Sequence, residues 1–117
     1  MNYFILEDNK MRQQWFKENL KGHRITIVDN VDDAKRILKT SAYDIIFLDH
    51  DLGEGTGGES YYNSGVTIAE FIPKTPNKDT EIYIHSQNPV GAENMQKILN
   101  YNGINSTIIP FGSFKLN

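Results

Sequence analysis

The 117-residue chain has no cysteine, which excludes disulfides, thiolate metal centres and cysteine nucleophiles. No apolar run approaches the ~20 residues that a membrane-spanning helix needs. Met1–Lys10 lacks the basic region and apolar stretch of a secretory signal. The expectation is a soluble, cytoplasmic chain. Positive charge is short as well: 12 Lys and Arg face 15 Asp and Glu, for a net charge of −3. Nothing there favours broad attachment to nucleic acid. Internal repeats, low-complexity tracts and linkers are also absent.

What is present has ordinary globular proportions, 38% hydrophobic and 23% charged. The length fits one domain, residues 1–117, whose core can stand without staples. Tyr3-Phe4-Ile5-Leu6 is a short apolar run of the kind buried in parallel sheets, and it stops at Glu7-Asp8-Asn9. Met11, Trp15, Phe16 and Leu20 then recur at helical spacing over Lys10–Leu20, and Gly22 ends that helix. Arg24–Val28, rich in β-branched residues, reads as a second strand. Asn30 caps a helix beginning at Val31, with Asp32 and Asp33 near its positive end.

Tyr43–Leu48 is the third strand and runs into Asp49-His50-Asp51. A glycine-rich stretch from Leu52 to Gly65 follows, carrying Gly53, Gly55, Gly57 and Gly58. It lacks the Lys-Ser/Thr ending of a P-loop. It is long for such a connection, where about 2–6 residues are usual, and loops of this length are often functional lids. Tyr61 and Tyr62 within it could stack on a base or cover the core. Val66–Ile72 makes a short third helix closed by Pro73. Glu81–Ile84 is the fourth strand and ends in His85-Ser86; Asn88 and Pro89 then open a helix that stops at Asn102-Gly103. Ser106–Pro110 is the last strand.

Five strands alternating with helices imply a parallel, doubly wound, flavodoxin-like sheet of order 2-1-3-4-5, lacking the last helix. Ligands of such sheets gather at the carboxyl ends of the strands. Glu7, Asp8, Asp49, Asp51, His50 and His85 all fall there, in one expected patch. Histidine titrates near neutrality and serves as base or acid, and a neighbouring carboxylate fixes its tautomer. His50 and Asp51 would face opposite ways on an extended strand, so that one of them serves the loop. His85 reads as catalytic or as a satisfied histidine, Ser86 as a phosphate ligand or a turn residue, Asn88 as a helix cap or a ligand, and His23 as surface.

Two sets of residues carry a family resemblance. Ile5-Leu6-Glu7-Asp8-Asn9 and Tyr43-Asp44-Ile45-Ile46-Phe47-Leu48-Asp49 resemble the receiver domains of two-component signalling. That likeness implies Mg²⁺ held by the acidic pair and phosphorylation of Asp49. The chain departs from it where strand five ends Ile109-Pro110-Phe111-Gly112 without a lysine (Lys115 lies well past), and where a histidine follows Asp49. Phe47-Leu48-Asp49-His50-Asp51-Leu52-Gly53 and Ile84-His85-Ser86-Gln87-Asn88-Pro89-Val90-Gly91 instead resemble the cyclic-phosphate processing receiver family.

This second resemblance implies a phosphoesterase-like role on 2′,3′-cyclic phosphate ends of RNA or on cyclic nucleotides. The catalytic candidates are Asp49, His50, Asp51, His85 and Ser86; the substrate-binding candidates are Ser86, Asn88 and Gly91. Glu7, Asp8 and Asp49 are the candidate ligands of a divalent metal, Mg²⁺ or Mn²⁺. The alternatives are a receiver phosphorylated on Asp49 and a module that sequesters a cyclic nucleotide without turnover. The missing last helix leaves an apolar face beside Trp15 and strand five. Phe111 and Phe114 folding back, or a homodimer, would cover it.

Overall fold

Five short apolar segments form one parallel sheet. They are β1 (Asn2–Leu6), β2 (Arg24–Val28), β3 (Ile45–Leu48), β4 (Glu81–Ile84) and β5 (Ser106–Ile108), in the order β2-β1-β3-β4-β5. This is the expected doubly wound order. The computed structural model describes residues 1–52 and 64–110. Gly53, Gly55, Gly57, Gly58, Tyr61, Tyr62, Phe111, Phe114 and Lys115 lie outside the described residues, as do the expectations placed on them.

Helices α1 (Lys10–Asn19), α2 (Val31–Leu38), α3 (Gly65–Phe71) and α4 (Pro89–Tyr101) connect the strands. Three of them start on asparagine caps: Asn9, Asn30 and Asn88 accept hydrogen bonds from the backbone N–H of Arg12, Asp33 and Gly91. α1 and α4 stop just before Gly22 and Gly103, whose φ angles of 89° and 77° suit only glycine. α3 begins one residue earlier than the sequence suggests and passes into a 3-10 turn, Ile72–Lys74, that takes in Pro73. Proline fits there because an N–H at the start of a helical turn has no partner to lose. β3 is shorter than expected because Tyr43 and Asp44 precede its ladder. Among the described residues no helix follows β5.

Period-two alternation divides the core in two. Phe4, Leu6, Ile46, Leu48, Ile82 and Ile84 face α2, α3 and α4 and make the larger cluster. Tyr3, Ile5 and Phe47 face α1, where Phe16 and Leu20 cover them. Burying side chains of this size contributes roughly 1.5–3 kcal/mol each. α3 packs on both α2 and α4. Gly65 makes that seat possible, because a Cβ there would lie 2.1 Å from the Asp49 carbonyl oxygen.

Candidate functional site

Strand parity sorts the polar residues at the sheet edge. Leu6, Leu48 and Ile84 are in register across β1, β3 and β4. The ladder continues one residue beyond each strand, with Asp49 N–H donating to Leu6 (3.2 Å) and His85 N–H to Leu48 (3.0 Å). Glu7, Asp49 and His85 therefore extend the Tyr3-Ile5, Ile45-Phe47 and Tyr83 rows towards α1. His50 and Ser86 take the opposite parity, on the side of α4. The expected single patch is two clusters.

The first cluster is buried, with Glu7, His85 and Asp49 at 0%, 1% and 3% exposure. His85 Nε2 lies 3.0 Å from Glu7 Oε1. Arg12 Nε lies 3.1 Å from that same oxygen, and Glu7 Oε2 accepts the Asn9 N–H at 2.9 Å. Asp49 Oδ1 accepts the His50 N–H at 2.8 Å. Its buried Oδ2 accepts no hydrogen bond among the described residues and stands 3.8 Å from Arg12 Nη2. The edges of Phe16 and Phe47 close over the His85 ring, with centroids at 5.3 and 6.3 Å.

Burial works to raise the Glu7 carboxyl, yet hydrogen bonds from His85 and Asn9 and the Arg12 charge bring it below the ordinary range. Burial pushes the His85 imidazole down, against the pull of Glu7. The pair is thus a carboxylate and a neutral ring whose Nε2–H donates. Asp49 moves the other way. Burial first, then the negative Glu7, raise its carboxyl to about 7, which Arg12 offsets in part.

The second cluster opens to solvent. His50 Nδ1 lies 2.6 Å from Asp51 Oδ1, their side chains being 13% and 45% exposed. The chain has left the strand at Asp49, so these neighbours pair with each other instead of facing opposite ways. Asp51 also bridges antiparallel to Ser64, closing the base of the long connection. Asn88 Nδ2 reaches Asp51 Oδ1 at 3.4 Å while its Oδ1 caps α4 through the Gly91 N–H at 3.0 Å. The cap and the site contact are therefore both made by Asn88. Ser86 Oγ accepts the Asn88 N–H at 3.0 Å, the turn-satisfying role. Gly91 lies under the His50 ring, where a Cβ would come within 2.5 Å of it.

Arg12 is the residue that sequence reasoning missed. The Asn9 cap places it in the first turn of α1, directly beside the end of β1. Attention to acids and histidines alone passes over it. Asp8, expected to share a metal with Asp49, is half-buried just past the end of β1. The group that could hold a cation among the described residues is Glu7, Asp49 and His85, with donor atoms within 4.8 Å of one another. Two carboxylates, an imidazole and a buried carboxylate oxygen lacking a hydrogen bond fit a divalent metal.

No helix among the described residues is long and apolar enough to cross a membrane. No curated protein matches the chain. Among solved structures it is similar to a response regulator protein from Burkholderia pseudomallei, described with a phosphorylated aspartic acid, a calcium ion and citrate. The TM-score is 0.70 at 15% identity over 97% of this chain and 61% of that one. The chain thus spans less than two thirds of that protein's length. It is also similar to a CheY-like response regulator receiver domain from Methylobacillus flagellatus, with a TM-score of 0.70, 19% identity and coverage of 97% and 88%. Identities this low establish the receiver fold alone. Residues 3–101 match the cyclic-phosphate processing receiver domain, and they include both polar clusters. With strand order, strand-end chemistry and this match in agreement, the chain belongs to the family of cyclic-phosphate processing receiver domains.

Proposed function

We propose that the chain is a phosphoesterase that opens a 2′,3′-cyclic phosphate on a nucleotide or an RNA end, with His50 as its general base. The observation that carries this reading is the 2.6 Å contact between His50 Nδ1 and Asp51 Oδ1 at the start of α4. A proton held on Nδ1 by the carboxylate leaves the Nε2 lone pair to act as base. Water attacks phosphorus, a new P–O bond forms, and His50 Nε2 takes the proton. The bond from phosphorus to the 2′ or 3′ oxygen breaks, and His50 returns the proton to that oxygen. Asp51 stays ionised and stabilises the imidazolium between the two transfers.

Asn88 holds Asp51 in place, and Gly91 gives the ring its floor. The positive end of the α4 dipole faces the same edge and favours an anionic phosphate. Ser86 orders the turn and supplies a hydroxyl beside it. His85 acts through Glu7, fixing that carboxylate. Glu7, Asp49 and His85 would hold Mg²⁺ or Mn²⁺, which would add positive charge at the end of β3. A response regulator of the same fold is described with both a calcium ion and a phosphorylated aspartic acid.

The test is release of nucleoside monophosphate from a 2′,3′-cyclic nucleotide, followed by ³¹P NMR with substrate in large excess, with and without Mg²⁺ or Mn²⁺. Wild type turns over, and His50→Ala loses about 10²–10⁴-fold of the rate with its fold intact. Binding without product, across cyclic nucleotides and cyclic-ended RNA, would leave a sequestering module instead.

A further inference from the structure

Arg12 is the one cation whose charged group lies against both buried carboxylates, 3.1 Å from Glu7 and 3.8 Å from Asp49 among the described residues. Its side chain is 22% exposed, whereas Glu7 and Asp49 are 0% and 4% exposed. The guanidinium thus closes the cluster from the solvent side. A divalent ion bound to the Asp49 Oδ2 would lie beside that group. We infer that Arg12 occupies the cation position between Glu7 and Asp49 and competes with a divalent metal for it.

The physical reason is charge and space together. The two carboxylates cannot accept both a guanidinium and a dication at such distances without strong like-charge repulsion in a water-poor setting. Arginine stays protonated at all working pH values, so it yields only by moving. Its stem is long and 22% exposed, and the Asn9 bond to the Arg12 backbone N–H stays in place when the guanidinium is displaced. The metal affinity of the cluster is therefore set by how readily Arg12 leaves. This inference concerns the cation and stands apart from the hydrolytic reading of His50.

Isothermal titration with Mn²⁺ at neutral pH, without substrate, tests it. Arg12→Gln should bind Mn²⁺ tighter than wild type by about 10-fold or more, the scale on which groups around a metal site alter affinity. Adding Asp49→Asn should abolish that gain. Equal or weaker binding by Arg12→Gln, or a gain that survives Asp49→Asn, would overturn the inference. Wild type supplies a second measurement should the variant fold poorly. Saturating Mg²⁺ should move the ¹⁵N resonance of Arg12 Nε towards that of a solvated arginine. An unmoved resonance at saturation refutes the competition, even if the protein turns over cyclic nucleotides. Loss of turnover in His50→Ala would in turn leave the titration unchanged.

Discussion

His85 and Glu7 lie 78 positions apart in the chain, yet His85 Nε2 meets Glu7 Oε1 at 3.0 Å across the intervening β3. Both side chains are wholly inside the protein, and Arg12 shares the same carboxylate oxygen. Replacing Glu7 with Leu takes from Arg12 its nearer buried carboxylate and from His85 its hydrogen-bond acceptor. Urea unfolding should show a loss of about 3 kcal/mol, in the range for breaking a buried pair. Glu7→Gln keeps the shape and one acceptor, and should cost less. A Gln variant as stable as wild type would show that the charge contributes nothing.

Asp49 gives the fold a specific pH response. Its carboxyl is raised to about 7 in the folded chain, from an ordinary value of 3.8. The folded state therefore holds this proton more tightly than the unfolded state does. Stability from this group is complete below the unfolded value and is lost as pH rises from there through about 7. Asp49→Asn removes the loss. Its Tm should exceed that of wild type at pH 8 by at least about 5 °C, since ~1 kcal/mol moves Tm by ~4–8 °C in a domain of this size. At pH 4 the two should nearly coincide. Scanning calorimetry at both pH values decides it, and a constant offset would contradict the assigned cause.

Gly91 separates stability from function. A Cβ at this buried position would stand 2.5 Å from the His50 ring, so Gly91→Ala must push the imidazole aside. The exchange also puts a better helix former in the first turn of α4. We expect unfolding stability within about 1 kcal/mol of wild type. Turnover of a cyclic nucleotide should fall about 10²-fold, the scale on which a 1 Å misplacement acts. Full activity in this variant would remove His50 from the proposed mechanism.

Much of the fold is legible along the chain. The apolar runs at Tyr3–Leu6 and Ile45–Leu48 read as buried parallel strands because both of their faces are covered, and that cover demands near-continuous apolar sequence. Asn30 and Asn88 mark helix starts because their short side chains satisfy N–H groups locally, whatever lies elsewhere in the protein. The strand-end placement of Asp49 and His85 follows from the alternation of strands and helices. Their sidedness was also within reach of period-two counting, which puts Glu7 on the Asp49 side.

Partnership is what only the tertiary structure decided. Arg12 joins Glu7 and Asp49 because the start of α1 is laid against the ends of β1 and β3, a placement no local pattern encodes. His50 pairs with Asp51, and not away from it, because the ladder ends at Asp49 and frees the backbone to turn. Gly91 sits beneath His50 because α4 begins beside the end of β3, two elements joined through strand pairing and not through sequence. Local chemistry fixes caps, strands and the edge where polar residues collect. Distances between charges depend on how distant segments pack, and those distances determine which acid is ionised, which ring is neutral and which cation stands between them.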